Sequence, residues 1–251
     1  MKDRETLKWG VVVLAAGKGT RMRSDLPKVL HEVAGRPLID WVLDLALAST
    51  APEGVMVVVG HGADLVRARV AGRDVRTVLQ EPQLGTADAL RVALEGMADP
   101  LPEAVLVLSG DVPLLRRKTI ERLKTELDKA AAVLLTAELE EPGIYGRVLR
   151  DPDGMVGAIV EAGDANPETL AVREVNAGVY AFRRAPLEDA LARLAPDNVQ
   201  GEYYLTDVAA ALGEQGLRVA AIRLEDPAEM QGVNTVEDLE TVECLLASPG
   251  Q

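Results

Sequence analysis

The chain has 251 residues, 48 % of them apolar but only 3 % aromatic, and its 40 acidic against 27 basic side chains leave a net charge of −13. That length holds one large domain or two modest ones around a core of Val, Leu, Ile and Ala, and the acidic balance argues against a surface that coats nucleic acid. A single cysteine, Cys244, excludes an intrachain disulfide framework and a cysteine-rich zinc site, and no apolar run reaches the length of a membrane span or a signal-peptide core. A soluble, cytoplasmic protein with no nucleic-acid or membrane partner is expected.

Short Val- and Leu-rich runs alternate with segments of helical period. "VVVL" (11–14), "VMVVVG" (55–60), "VRTVLQ" (75–80) and "AVLVLSG" (104–110) read as strands. They are near-continuously apolar, as in a sheet covered on both faces. Between them "PLIDWVLDLALAS" (37–49), "ADLVRARV" (63–70) and "ADALRVALEGM" (87–97) read as amphipathic helices, with Pro37 suited to a first turn. The alternation predicts right-handed parallel crossovers in a Rossmann-like, doubly wound α/β sheet, whose ligands sit at the carboxyl ends of the strands.

After about residue 139 the pattern changes. "YGRVLRDPDGMVGAIVEAGDA" (145–165) reads as two strands joined by a turn at "DPDG", where Gly154 supplies a positive φ. "REVNAGVYAFRR" (173–184) reads as a strand, and "APLEDALARLA" (185–195) and "YYLTDVAAALGEQG" (203–216) as helices. "RVAAIRLED" (218–226) is a closing strand, and "NTVEDLETVECLLAS" (234–248) a final helix with Asn234 as its N-cap and Cys244 packed on its apolar face. This half is expected to insert strands and a lid over the first, giving a mixed sheet with a smaller second lobe. The expected domain runs over 1–233, with 234–251 as a C-terminal helix and candidate start of a connecting arm.

The loop "LAAGKGTRMRSDLPK" (14–28) reverses the global sign, with two glycines, four cations and Asp25 as its one acid. Met22 stands where the third glycine of a dinucleotide fingerprint would be, and the P-loop spacing also fails. What remains is a glycine pair that lets backbone N–H groups approach an anion, followed by Thr20, Arg21 and Lys28. Arg21 can grip two phosphate oxygens at once, and Lys28 can act as a mobile point charge. A surface turn with scattered basic residues is the bland alternative.

This loop resembles the signature of the sugar-nucleotide pyrophosphorylases (nucleotidyltransferases), L-A-A-G-x-G-T-R-M with P-K a few residues on. It is most similar to the bacterial branch that uridylylates N-acetylglucosamine-1-phosphate, the N-terminal half of a bifunctional enzyme. "LQEPQLGTADAL" (79–90), "SGDVPLL" (109–115), "YGRV" (145–148), "IVE" (159–161), "EVNAGVY" (174–180), "QGEYYLTD" (200–207) and "GVN" (232–234) follow in family order. The resemblance implies a fold of the nucleotide-diphospho-sugar transferase type. It also implies attack of a sugar-1-phosphate on the α-phosphorus of UTP, yielding UDP-N-acetylglucosamine, a peptidoglycan precursor, and pyrophosphate.

The same resemblance implies catalytic roles for Arg21 and Lys28 on the phosphates. Nucleotide contacts fall to Leu14, Ala15, Ala16, Gly17, Gly19, Thr20, Lys28, Gln80, Gly85 and Thr86. Substrate contacts fall to Ser109, Gly110, Asp111, Gly146, Glu161, Asn176, Tyr204, Thr206 and Asn234. Asp111 and Asn234 would share Mg²⁺, a sparse site of the kind that cation accepts when phosphates and water complete its shell. His31 is expected to make a structural hydrogen bond, and His61 to cap or line a loop.

The six-residue repeats of the left-handed β-helix acetyltransferase half do not occur in this sequence, so no acetyl-CoA site is implied. A stand-alone enzyme and a piece of a bifunctional one both fit, and a monomer is the default expectation. The alternatives are a relative that uses dTTP or glucose-1-phosphate, and a nucleotide-sugar sensor that has lost turnover. A sensor should have damaged the loop cations or the metal carboxylate, yet Arg21, Lys28, Asp111 and Asn234 are all present.

Overall fold

The computed structural model describes residues 7–247; residues 1–6 and 248–251, at the two ends of the expected spans, lie outside the described residues. The first half runs β1 (Trp9–Ala15), β2 (Glu32–Val33), β3 (Arg36–Pro37), α1 (Leu38–Leu47), β4 (Val55–Val59), α2 (Ala63–Val70), β5 (Arg76–Leu79), α3 (Thr86–Gly96) and β6 (Ala104–Ser109). Then come α4 (Arg117–Glu126), β7 (Ala132–Glu138), β8 (Arg147–Arg150), β9 (Val156–Val160) and α5 (Pro167–Leu170). The chain continues through β10 (Glu174–Arg183), α6 (Arg184–Leu191), α7 (Asp207–Glu214), β11 (Val219–Arg223) and α8 (Val236–Ala247).

The central sheet has the order β11-β7-β10-β6-β1-β4-β5. β6, β1, β4 and β5 pair in parallel, whereas β10 lies antiparallel to both β6 and β7. The expected mixed, doubly wound sheet is therefore present. Alternation along the strands sorts the core into two layers. Val11, Val13, Val55 and Val57 pack with Ile39 and Leu43 of α1, Val66 of α2 and Ile120 and Leu123 of α4. Val12, Met56, Val58 and Val107 face Leu90 and Ala93 of α3, Leu187 of α6 and Val208 and Leu212 of α7. Strands covered on both faces have no solvent side, which is why their sequences are apolar without alternation.

The second half does insert strands, since β10 slots between β6 and β7 and β11 extends the edge. Only the β8–β9 hairpin stands off, tied to β10 by the pair Arg147 and Val175. Its turn follows expectation, with Gly154 at φ 78°. Besides the short β2, β3 and α5, two longer elements were not anticipated: α4, whose "RKTIERLKTE" buries only Thr119, Ile120 and Leu123, and the buried strand β7 behind it.

Two boundaries move. Pro37 is not in the first turn of α1; it pairs with Glu32 in the β2–β3 ladder, and the helix starts at Leu38. α7 starts at Asp207, not near Tyr203, because the Tyr203 backbone is committed elsewhere: its N–H donates to Leu84 O at 2.8 Å and its carbonyl accepts from Ala87 N at 2.9 Å. α8 packs Val242 into a third cluster with Met22, Val33, Leu38 and Val233, beside the loop that follows β1. Among the described residues no helix is long and apolar enough to cross a membrane.

Candidate active site

The loop after β1 is held by contacts that leave its cations free to converge. Gly19 sits at φ 58°, and a Cβ there would lie 2.8 Å from Lys28 Cβ, so the two residues pack in direct contact. Met22 ends a 3₁₀ turn, Thr20–Met22, and is buried in the third cluster. Farther on, Pro27 rests on Gly62, where a Cβ would come within 2.4 Å of the ring. Lys28 then opens a second 3₁₀ turn anchored by buried Val29. Arg21 and Lys28 thus start from fixed points at the carboxyl end of β1.

Both cations reach one atom. Arg21 Nη2 donates to Asn234 Oδ1 at 3.1 Å, and Lys28 Nζ donates to the same oxygen at 3.0 Å. Lys28 Nζ also pairs with Asp111 Oδ2 at the end of β6, and both of those side chains are largely buried. Asp111 is tied to the Asn234 segment through its carbonyl, which accepts from Val233 N at 3.0 Å.

Asn234 is not the N-cap of the last helix. Thr235 holds that place: its Oγ1 accepts from Asp238 N at 3.2 Å, while Asp238 Oδ2 accepts from Thr235 N at 2.9 Å and Asn234 N at 2.8 Å. This reciprocal capping box satisfies the helix end without the Asn234 side chain. The Asn234 amide is thereby released to face Arg21 and Lys28.

Lys28 and Asp111 line a cleft of about 530 Å³ along the carboxyl ends of β1, β5 and β6, and Asn234 and Arg21 join it through the Lys28–Asn234 and Arg21–Asn234 hydrogen bonds. Leu14, Ala15, Ala16, Gly17, Gly19, Thr20, Lys28, Gln80, Gly85, Thr86, Ser109 and Asp111 all line it. Gly110 lies just beneath, its N–H donating to Leu14 O at 2.9 Å and a Cβ there reaching that oxygen at 3.0 Å. Gly85 is required by shape: at φ 115°, a Cβ would stand 2.5 Å from Tyr203 O. Thr86 Oγ1 accepts from Leu205 N at 3.0 Å, fastening the start of α3 to the segment before α7. Lys18, Gln83 and Glu202 also line the cleft and were not singled out from the sequence. Gln83 lay in the quoted "LQEPQLGT", and its Nε2 now donates to Ala16 O, joining the loops after β1 and β5.

The expected sugar residues gather around the β8–β9 hairpin. Gly146 O accepts from Asn176 N at 2.9 Å, and a Cβ on Gly146 would lie 3.3 Å from Glu161 Oε1. Glu161 Oε1 accepts from the buried Thr206 hydroxyl at 3.1 Å. The Asn176 amide is engaged within β10, donating to Tyr180 Oη at 2.6 Å and accepting from Gly178 N at 3.1 Å. Tyr204 is only half-buried; its hydroxyl is pushed upward in pKa by burial and by the fields of Asp164 and Glu161. Burial and the charges of Asp238 and Asp111 likewise raise Tyr145, which puts the start of β8 within electrostatic reach of the Asp111 carboxylate.

Glu161 itself is pushed up by burial, opposed by the Thr206 hydrogen bond, with Asp207 and Asp164 adding to the rise. A carboxyl whose folded pKa is raised favours the fold while protonated, and that contribution is lost as pH rises through the folded value. Glu161→Gln should therefore raise the melting temperature at neutral pH, by roughly 2–4 °C per kcal/mol relieved. The gain should vanish below about pH 4, where the wild-type carboxyl is protonated too. Melting curves of both proteins across that range check it, and a lower melting temperature for the variant at neutral pH would contradict it.

Two expectations outside the site fail. The His31 Nε2 atom is buried with no hydrogen-bond partner among the described residues, although the His31 backbone bonds to Lys28 and Leu38. Cys244 is exposed on α8, because the face that packs on the third cluster is the one carrying Val242.

No cluster of three or more His, Cys, Asp or Glu side chains suited to a metal occurs among the described residues. Asp111 Oδ2 and Asn234 Oδ1 nevertheless converge on the Lys28 ammonium, so the pair already solvates a cation. One carboxylate and one amide oxygen suit a hard divalent ion that takes its remaining ligands from phosphate and water. The donor set fits Mg²⁺.

A family model described as the MobA-like NTP transferase domain matches residues 11–201. The bifunctional protein GlmU of Pseudomonas putida is 47 % identical over 233 residues, covering 93 % of this chain and 50 % of the relative. GlmU of Azotobacter vinelandii is 49 % identical over 224 residues, covering 89 % of this chain and 48 % of its own. The chain spans about half the length of the curated relatives it matches. Among solved structures, a Bacillus anthracis protein described as a glucose-1-phosphate thymidylyltransferase superposes with a TM-score of 0.74 at 18 % identity, over 97 % of both chains. A nucleotidyl transferase from Methanothermobacter gives 0.64 at 20 % identity, over 95 % of this chain and 97 % of its own. At such identities these two likenesses speak for the fold alone.

Proposed function

The chain belongs to the MobA-like NTP transferase domain family, and from that premise we propose that it transfers a uridylyl group from UTP to N-acetylglucosamine-1-phosphate. A phosphate oxygen of the sugar phosphate attacks the α-phosphorus of UTP. The bond to the bridging oxygen of the β-phosphate breaks, and its electron pair leaves with pyrophosphate. The products are UDP-N-acetylglucosamine and pyrophosphate. The observation that supports this reading is that Lys28, which lines the cleft, meets both Asp111 and Asn234, and that Arg21 reaches the same Asn234 oxygen.

Both substrates are anions, and two like charges about 4 Å apart repel by roughly 4 kcal/mol at an effective dielectric of 20. Opposing that repulsion is the main task of these residues, since the nucleophile comes with the substrate and positioning does the rest. Arg21 holds the triphosphate tail and balances charge building on the leaving pyrophosphate, while Lys28 contacts the phosphates flanking the reacting centre. Asp111 and Asn234 would hold a divalent ion, Mg²⁺ by the hardness of the donor set, which supplies Lewis-acid neutralisation of phosphate charge. Uracil lies against the small residues 14–17, with Gln80, Gly85 and Thr86 at its edge. Glu161 and Thr206, which bond to each other beside the Gly146–Asn176 backbone, would bond sugar hydroxyl and acetamido groups.

The test is pyrophosphate release from UTP with a panel of sugar-1-phosphates, each with and without Mg²⁺. Release confined to N-acetylglucosamine-1-phosphate and to samples with metal is expected. Equal release with glucose-1-phosphate would keep the chemistry and remove the sugar assignment. No release with any sugar, alongside tight UDP-sugar binding, would make the protein a sensor.

A further inference from the structure

Gln80 starts the loop after β5, lines the cleft and is 4 % exposed. Its Nε2 donates to Gly85 O at 2.9 Å and to Asp88 Oδ2 at 2.8 Å. Both partners are oxygens, a peptide carbonyl and a side-chain carboxylate. A primary amide has two N–H donors and one carbonyl acceptor, so both donors are spent inside the protein. The flipped amide would set Oε1 against the same two acceptors. Its orientation is thus fixed by its neighbours. No described group donates to Gln80 Oε1, and it is not among the buried unpartnered atoms. It therefore opens on the cleft.

Asp88 is itself 5 % exposed, in the first turn of α3, where a carboxylate is favoured by the helix N-terminus. Its second oxygen accepts from Arg91, which in turn holds Glu95. The acceptor that faces Gln80 is thereby braced from behind.

We propose that Asp88 is a positioning residue that sets base selectivity, by locking Gln80 so that it offers the cleft an acceptor and no donor. This rests on the uridylyltransferase reading above. The N3–H of uracil can donate to Oε1, whereas N3 of cytosine carries a lone pair and would face it unpaired. Thymine shares the N3–H and is not rejected by this device. A site built for a hydrogen bond discriminates against a base that cannot make it, because the buried polar group is then left unsatisfied.

Asp88→Asn keeps the shape but, with its carbonyl held by Arg91, turns an N–H₂ toward Gln80, so that Gly85 O is the one acceptor left to oppose the flipped amide. The experiment is calorimetric binding of UTP and of CTP to the full chain with Mg²⁺ and no sugar phosphate, so that turnover plays no part. Wild type should prefer UTP, and the variant should lose about tenfold or more of that preference, with CTP gaining as UTP weakens. Gln80→Met, which removes the amide altogether, should also lose the preference and serves if Asp88→Asn folds poorly. An unchanged UTP-to-CTP ratio in either variant, with both nucleotides still bound, overturns the role of Asp88 and leaves the proposed function standing. Failure of wild type to bind UTP at all overturns both.

Discussion

Asp111→Ala is expected to lower pyrophosphate release by about 10²–10³ while leaving the fold intact. The fold should survive because the Asp111 link to the rest of the chain runs through its backbone, whose carbonyl accepts from Val233 N. The only bond its side chain makes among the described residues is to Lys28. The substitution also carries a signature of its own. It removes a negative charge from beside the phosphate site while Arg21 and Lys28 remain, so UTP binding without metal should not weaken. The loss should fall on kcat and on the response to Mg²⁺. Steady-state kinetics across a metal titration, with a thermal melt as control, separates these effects. Full activity with an unchanged metal response would remove Asp111 from the metal site.

Arg21→Ala should cost about 10²–10³ in kcat/KM, the scale of losing one donor that opposes charge on a leaving group. Its side chain is exposed, and its one hydrogen bond among the described residues is to Asn234 Oδ1. The loop itself is held by Met22, by the Gly19–Lys28 contact and by Pro27 on Gly62. Activity should therefore fall without a fall in melting temperature. Arg21→Lys should recover only part of the loss, because an ammonium cannot bind two phosphate oxygens in the planar fork of a guanidinium. The KM for UTP should rise in both variants as the triphosphate loses a partner. A near-normal rate for Arg21→Ala would take Arg21 out of the reaction and leave Lys28 as the loop's acting cation.

The two predictions differ on nucleotide affinity, a loss for Arg21→Ala and none for Asp111→Ala, so together they test the geometry and not merely the presence of charge. If Arg21 and Lys28 meet Asn234 because all three surround the triphosphate, deleting a cation weakens UTP and deleting the anion does not. A general loss of loop structure would weaken UTP in both.

By itself the sequence determined most of the central strands and the loop. A strand covered on both faces can hardly be built from anything but continuous Val and Leu, and β1, β4 and β6 stand where those runs are. The glycine pair, Arg21 and Lys28 were legible because their roles depend on local backbone freedom and on charge type, which sequence carries directly. β7 was less legible because "AVLLTAE" is a short apolar run in an alanine-rich stretch, which periodicity alone does not separate from a buried helix. α4 escaped because its charged face outnumbers its buried one.

Only the tertiary structure decided which of two competing hydrogen-bonding roles a polar side chain takes. Asn234 could have capped α8, but Thr235 and Asp238 satisfy that helix end and release its amide to the cations. Gln80 could have presented either end of its amide, and Asp88, eight residues on, leaves it one. Glu161 could have been a solvated strand end, yet burial beside Thr206, the residue that precedes α7, pushes its pKa upward. Sequence sets what a side chain can donate or accept, whereas its partner depends on distance, and distance is fixed only when the strands that carry these loops are packed side by side.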